Sequence, residues 1–193
     1  MPTILEQAET IRDETAEYAN TPARVGACLV DIANALALEP AFCDAAVSGS
    51  ALQTDITSAG QFEMIVVSGV VANDSNMFTV SDAGVLTYTP TDSKSRLFRI
   101  TLTASMFCGT TSRLIQASIG SGTAEDSGNV ISDTLPASAN KQGAIVCNSV
   151  RMLNPSQTIA MWVTTFSGTE SLTVTNYTAA ISQVGIYSAT PPP

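Results

Sequence analysis

Apolar and polar residues follow two different periods along this chain. Up to about residue 38, the apolar positions recur at intervals of four and three, a repeat of about 3.5 residues that is typical of a helix packed on another helix. The positions are Ile4, Ala8, Ile11, Thr15 and Tyr18, followed by Val25, Leu29, Ile32 and Leu36. We predict a helical stalk or anchor over residues 1–38, with the apolar members of this series at its interface.

The dipeptide Thr21-Pro22 interrupts the helical pattern. Proline disfavours helix in the residue before it, but it is favourable at the first position of a new helix, with Thr21 as the N-cap. We expect two short helices, either collinear or folded back on each other. A lone helix of about 15 residues is marginal in water, so both need a partner. That partner is either the chain's own β-region or other copies of the chain.

From about residue 56 the period changes to two, the period of β-strands. Phe98, Ile100 and Leu102, for example, fall on one face of a strand, and Arg99 and Thr101 fall on the other. The predicted strands are 62–71, 77–80, 84–89, 98–106, 113–119, 144–153, 159–164, 171–175 and 179–187. Turn residues such as Asn73-Asp74 and Asn154-Pro155 separate them. We predict a β knob over 57–190, a linker with one edge strand over 39–56, and a long polar loop over 120–142.

This pattern predicts the fold class. Roughly nine short strands with no helical pattern between them indicate a mainly β fold, an antiparallel sandwich of the jelly-roll type. The N-terminal helical segment precedes it as a short bundle or coiled coil. The four cysteines, Cys28, Cys43, Cys108 and Cys147, are far apart in the sequence, and we expect them to be buried free thiols.

Charge bears on possible partners. The net charge is −9 with no cluster of Lys or Arg, which argues against binding to nucleic acid or to an anionic membrane. No apolar run reaches the length of about 18 residues that spans a bilayer, and the first residues do not have the pattern of a signal peptide. Between Met152 and Pro193 the only charged residue is Glu170. We expect copies of the chain to cover part of that surface, the alternative being an uncharged, threonine-rich surface.

Residues for catalysis are scarce. The sequence has no histidine, which excludes Ser–His and Cys–His pairs and histidine zinc ligation. No phosphate-binding glycine motif occurs, and the acids of the β-region lie mostly at predicted turns. We predict no enzyme, no cofactor and no metal, with three weaker alternatives. These are a carboxylate pair acting on a polysaccharide, calcium at 73–76 or 125–126, and a glycan platform built from Trp162, Tyr88, Tyr177 and Tyr187.

Two stretches resemble a known kind of protein. SNMFTVSDAGVLTYTPTDSKSRLFRITLTASM (75–106), with Gly84, Leu86, Thr87 and Tyr88, resembles the front half of trimeric jelly-roll domains of the tumour-necrosis-factor type in tailed-phage virion proteins. VRMLNPSQTIAMWVTTFSGTESLTVTNYTAAISQVG (150–185) is similar to the back half, although Pro155-Ser156 stands where that family often has Gly-Asp. The stretch ANTPARVGACLVDIANAL also resembles the N-terminal helices of phage fibre proteins.

This resemblance implies a homotrimer with a helical stalk and a jelly-roll knob, and it carries over no catalytic residue. We expect a structural virion protein of a tailed phage, either a head fibre or capsid decoration protein or a tail-fibre component. Its N-terminal helices would bind other virion proteins of the capsid or tail, and the chain would be assembled in the host cytoplasm. The alternative is a receptor-binding knob that recognises a host-surface glycan or protein.

Overall fold

The computed structural model describes residues 25–26, 29, 40–109, 111–126, 130–137 and 142–186. The chain divides into two units, Met1–Pro40 and Ala41–Pro193. In the first unit only Val25, Gly26, Leu29 and Pro40 are described, and the first three have a helical backbone. The predicted pair of N-terminal helices therefore stays a prediction. Within the described residues, no helix is long and apolar enough to cross a membrane.

The second unit is built from strands alone in its described part. They are β1 (Phe42–Ile56), β2 (Glu63–Met64), β3 (Val71–Asn76), β4 (Phe78–Val80), β5 (Leu86–Tyr88), β6 (Arg96–Cys108), β7 (Arg113–Gly120), β8 (Ile131–Leu135), β9 (Gly143–Leu153), β10 (Thr158–Thr165) and β11 (Glu170–Ile186). All the strand pairs are antiparallel.

The strands form two sheets that pack face to face. The first sheet has the order β3-β1-β11-β6-β9, and the second has the order β4-β5-β10-β7-β8, with β2 also paired to β10. Apart from the consecutive pairs β4–β5 and β7–β8, neighbours in both sheets are not consecutive in the chain, as in a jelly roll. The prediction of a mainly β antiparallel sandwich is confirmed.

The core fills the space between the sheets because the strand residues alternate as the sequence predicts. On β6, every second side chain from Phe98 to Met106 has no exposed surface. At one end of the core, Phe78, Tyr88 and Phe98 pack with ring centroids 5.0–5.3 Å apart. Tilted and edge-on contacts of this kind add to the gain from burial itself. The strand prediction over 98–106 is therefore confirmed, and β6 extends beyond it at both ends.

A buried arginine holds the turn between β5 and β6. Arg96 has no exposed surface, and its Nη2 lies 2.8 Å from Asp92 Oδ2. Its Nη1 donates to the hydroxyl of Tyr88, which in turn donates to the carbonyl of Lys94 at 3.0 Å. A buried guanidinium needs such partners because its desolvation is costly.

Five sequence predictions are wrong in part. Residues 42–56, predicted as linker with one edge strand, form β1, which lies between β3 and β11. The buried residues at the start of β1 are Cys43 and Ala45, preceded by Ala41, and residues this small give a weak hydrophobic signal. The predicted loop over 120–142 contains β8.

The predicted strand over 62–71 is mostly extended chain. Only Glu63–Met64 form a ladder, and residues 65–70 cross from one sheet to the other. Ile65, Val67 and Val70 are buried there, so the apolar pattern of this segment reflects burial in the core and not a strand. The predicted turn at Asn73-Asp74 lies within β3, at an irregularity of its pairing with β1. The strands predicted at 171–175 and 179–187 are one strand, β11, with bulges.

Candidate functional site: the outward face of the first sheet

The outward face of β1, β11, β6 and β9 is a continuous surface with few charged residues, and we call it the assembly face. The strand registers arrange its side chains in four rows of four. The rows are Phe42–Ser182–Arg99–Val150, Asp44–Ala180–Thr101–Asn148, Ala46–Thr178–Thr103–Val146 and Ser48–Asn176–Ser105–Ala144. None of these residues is buried. Asp44 and Arg99 are the only charged members.

The chemistry of the assembly face is that of small hydroxyl and aliphatic groups. Thr101 Oγ1 lies 2.7 Å from Asn148 Oδ1, so part of its polar capacity is already satisfied within the sheet. Along β9, Val146, Val150 and Met152 are 43%, 58% and 41% exposed. Since β9 is an edge strand, this row of exposed apolar residues borders an edge that another chain could cover.

The two charges of the assembly face lie apart. Asp44 is on β1 and Arg99 on β6, two strands away and in the next row. Both are exposed, and among the described residues neither has an ion-pair partner. They flank a shallow groove of about 350 Å³ that Phe42, Thr101 and Ser182 also line. Each charge is therefore available to a group outside the chain.

The core beneath the assembly face keeps its titratable groups neutral. Burial, with a smaller contribution from Asp44, raises the pKa of Cys43 to about 11. Burial raises the pKa of Cys147 to about 12 and raises that of Tyr177 well above its usual value. The described cysteines, Cys43, Cys108 and Cys147, are free and buried, as predicted, so they supply packing and no reactive thiolate.

The predicted anchor residues are mostly outside the described residues. Of the interface series, Ile4, Ala8, Ile11, Tyr18, Ile32 and Leu36 are not described. Val25 and Leu29 are 38% and 60% exposed. Their role in a stalk stays a prediction.

The aromatic residues proposed as a glycan platform do not form one. Tyr88 and Tyr177 are buried, and the side chain of Tyr187 is not described. Trp162 is half-buried and donates from Nε1 to the carbonyl of Ser121 at 2.8 Å. The exposed aromatic is Phe166, 66% exposed after the end of β10, which the sequence reasoning missed.

The alternatives with acids also change. Among the described parts of the chain, no three His, Cys, Asp or Glu side chains are close enough to hold a metal. The loop residue Asp126 instead lies 3.0 Å from Arg151 Nη2. Glu170, the one charge of the C-terminal region, is buried and pairs with Arg113 at 2.7 Å. The exposed C-terminal strands are thus even less charged than the sequence suggests.

Comparisons with known proteins give only a distant likeness. No family model matches the sequence, and no curated protein matches it. A solved structure of the Eiger TNF from S. frugiperda is 8% identical, with a TM-score of 0.47 over 80% of this chain and 100% of that one. Murine APRIL at pH 5.0 is 7% identical, with a TM-score of 0.41 over 72% of this chain and 98% of that one. At this distance, neither likeness carries an argument about function.

Proposed function

We propose that this chain is a structural virion protein of a tailed phage, a homotrimeric head fibre, capsid decoration or tail-fibre component anchored by its N-terminal segment. The observation that carries the assembly part is the assembly face, four rows of residues with two charges. Charged residues are depleted at the cores of protein–protein interfaces, and this face has that composition. The proposed partner is a second and a third copy of the chain.

The size of the assembly face indicates what else must contribute. Four strands spaced about 4.8 Å apart, with rows spanning six residues of about 3.4 Å, cover roughly 400 Å² in projection. A standard interface buries about 800 Å² of accessible surface on each partner. We therefore expect the exposed edge of β9 and the N-terminal segment to add contact area to the trimer.

Charge complementarity also fits identical partners. Asp44 and Arg99 have opposite charges and no ion-pair partner among the described residues, so copies arranged around an axis can pair Asp44 of one with Arg99 of the next. A closed ring repeats that contact at every interface. An ion pair of this kind contributes to the choice of partner and register more than to affinity.

The phage part of the proposal is supported by the sequence resemblance at 75–106 and 150–185. In this proposal, the N-terminal segment binds other virion proteins of the capsid or tail, and the knob lies at the outside of the particle. Deletion of residues 1–38 is expected to prevent incorporation into particles while the knob remains folded. Particles that still carry the truncated chain would contradict the anchor.

The first test of the assembly is the solution mass of the full chain by light scattering. We expect a mass of three chains, which Thr103→Glu should reduce to one, because Thr103 lies in the third row of the assembly face. Thr79→Glu, the same change at an exposed position of β4 in the second sheet, serves as control and should leave the mass unchanged. A monomer for the unmodified chain, or a trimer for Thr103→Glu, would contradict the proposal.

The proposed pair between copies has its own test. Asp44→Arg and Arg99→Asp should each weaken the trimer, since each places like charges opposite each other. The double exchange, Asp44→Arg with Arg99→Asp, should recover a large part of the loss. If the double variant loses as much trimer stability as the two single variants lose together, the two residues do not meet across the interface.

A second candidate function is recognition of a host-surface glycan or protein by the knob. It is favoured by Phe166, an aromatic side chain with 66% of its surface exposed beside the β10–β11 turn. Retention of the full chain on host cells, reduced by Phe166→Ala, would support it. Absence of retention at micromolar protein would count against it.

A further inference from the structure

An open cleft of about 710 Å³ lies where the end of β1, the β6–β7 turn and the β10–β11 turn come together. Its polar lining includes Asp55, Thr57, Arg113, Thr169, Glu170 and Ser171. Volumes of about 300–1,000 Å³ are usual for small-molecule sites. All of these groups come from one chain, so the cleft is complete without a second copy.

A buried carboxylate fixes the arginine of this cleft. The side chain of Glu170 is 1% exposed, and its Oε2 lies 2.7 Å from Arg113 Nε. Its Oε1 accepts from the backbone nitrogen of Gly109 at 2.9 Å. Arg113 Nη1 donates to the carbonyl of Ser167 at 3.3 Å, which holds the plane of the guanidinium on a second side. The arginine is therefore positioned before any ligand arrives.

One donor group of Arg113 is left for a ligand. Among the described residues, Nη2 has no hydrogen-bond partner, and the side chain is 31% exposed. Guanidinium groups pair most strongly with carboxylates and phosphates, which accept their parallel N–H groups. A pre-positioned arginine with an open edge is thus suited to an anionic group.

The rest of the cleft is suited to hydroxyl groups. Asp55 Oδ1 accepts from Ser171 Oγ at 2.5 Å, while Oδ2 has no partner among the described residues. Thr57 and Thr169 are exposed and add hydroxyls that both donate and accept. A carboxylate beside hydroxyl groups is a usual acceptor set for sugar hydroxyls, and it repels a second negative charge.

We propose that this cleft binds an acidic saccharide unit of the uronic acid type, with the sugar carboxylate on Arg113 and the sugar hydroxyls on Asp55 and the neighbouring hydroxyl side chains. The charges favour a singly charged ligand over a doubly charged one. Arg113 supplies one positive charge, whereas Asp55 and Glu170 supply two negative ones, so the net repulsion is about twice as large for a phosphate dianion as for a monocarboxylate, which must offset it by direct contact with Arg113. A free amino acid would use the two charges but leave the hydroxyl groups without partners.

Phe166 stands beside the cleft rather than in its lining. Its backbone nitrogen donates to the carbonyl of Leu114 at 3.2 Å, and successive side chains of a strand point to opposite faces, so its exposed ring lies on the face of Leu114 and not on that of Arg113. The saccharide proposal therefore rests on the polar lining alone. The inference gives the receptor-binding candidate a ligand class and a site. It does not depend on the trimer.

The test is a titration of the full chain with glucuronate, followed by ligand-detected NMR and calorimetry. Glucose, acetate, glycine and inorganic phosphate are the comparison probes. We expect glucuronate to bind with a Kd of about 1 mM, and each comparison probe to bind at least about tenfold more weakly. No saturation by glucuronate at about 20 mM, or equal binding of acetate, glycine or phosphate, would overturn the proposal.

Two variants locate the site. Arg113→Lys keeps a charge beside Glu170 but removes the forked edge, and it should weaken glucuronate binding by about tenfold or more. Asp55→Asn should weaken it by at least about threefold. The matched controls are Arg151→Lys, another arginine that pairs with a carboxylate, and Asp133→Asn, another exposed aspartate on a strand. Both should bind as the unmodified chain does.

The Asp55 variant keeps the test decisive. Arg113→Lys could disturb the fold through Glu170, which circular dichroism would detect. Asp55 is exposed, so Asp55→Asn leaves the buried pair intact. If a folded Asp55→Asn binds glucuronate as tightly as the unmodified chain, the proposed site is wrong. Because the mass measurement is separate, the trimer and the saccharide site can fail independently.

Discussion

Replacing Gly84 by alanine tests a closely packed site of the sandwich. Gly84 lies between β4 and β5 with φ of 75°, in the region that residues with a Cβ rarely adopt. A Cβ there would lie 3.0 Å from Val67 Cγ2 and 3.1 Å from Tyr177 Cε1. Tyr177 is anchored in turn, because its hydroxyl donates to the Gly84 carbonyl at 3.2 Å. Its ring therefore has little freedom to move away.

The expected cost has two parts. The left-handed backbone costs about 1–2 kcal/mol for a residue with a Cβ, and overpacking costs about 1–3 kcal/mol. We expect Gly84→Ala to lower the free energy of unfolding by about 2–5 kcal/mol. Gly60 is the matched control, with φ of 78° and no heavy atom within 4 Å of its added Cβ. Gly60→Ala should lower the free energy of unfolding only by the cost of the left-handed backbone, about 1–2 kcal/mol.

Urea denaturation measures both variants against the unmodified chain. All samples need one protein concentration, because the stability of an oligomer depends on it. Adding Val67→Ala to Gly84→Ala should give a double variant that is more stable than the two single losses predict, by about 1 kcal/mol. A difference between the two glycine variants below about 0.5 kcal/mol, or strict additivity with Val67→Ala, would refute the packing explanation.

Three further predictions follow from buried groups. Asp92→Asn removes the charged partner of the fully buried Arg96. Because Asp92 itself is 25% exposed, we expect the free energy of unfolding, measured by urea denaturation, to fall by only about 1–3 kcal/mol. Tyr88→Phe removes the hydroxyl that accepts from Arg96 and should lower the free energy of unfolding by about 1 kcal/mol. If Asp92→Asn and Tyr88→Phe lower it equally, the charge of Asp92 is unimportant for Arg96. For Cys43 and Cys147, burial raises the folded pKa values from 9.0 to about 11 and about 12. Because a raised folded pKa gives stability that is complete below the unfolded value and is lost above it, we expect stability to be constant up to about pH 9 and then to fall. Cys147→Ala should make that fall shallower, and an unchanged slope would contradict the assignment. Alkylation of both thiols at neutral pH should require unfolding, so rapid labelling of the native protein by iodoacetamide would show that the sandwich opens locally.

The sequence predicted the fold best where large side chains alternate. On β6 the hydrophobic pattern, the burial and the strand bounds agree. On β10 the strand bounds agree as well, but Ala160 and Thr164 on the opposite face are also buried. At the start of β1 the buried residues are Cys43 and Ala45, and their small size hid a strand of the first sheet. Residues 65–70 show the converse, since apolar residues are buried there outside any strand.

The functional surfaces were harder to predict than the fold. Glu170 stood out as the only charge of the C-terminal region, yet nothing in its neighbourhood in sequence indicates that it pairs with Arg113, 57 positions away. Asp44 and Arg99 come to one face only through the registers of β1, β11 and β6. Such juxtapositions depend on topology, so a local pattern cannot reveal them.

The position of β11 in the first sheet has a consequence for synthesis on the ribosome. β11 lies between β1 and β6, and it is made after the other ten described strands. From the end of β6 at Cys108 to the start of β11 at Glu170 is 62 residues (170 − 108), which takes roughly 3–12 s to translate. During that interval β1 and β6 lack the strand that joins them, and the edges that pair with β11 are open to other nascent chains. Closely spaced ribosomes on one message would bring identical chains together at this stage, when strand pairing between chains competes with pairing within each chain. The rate of translation between the two strands is thus part of what determines the yield of folded protein.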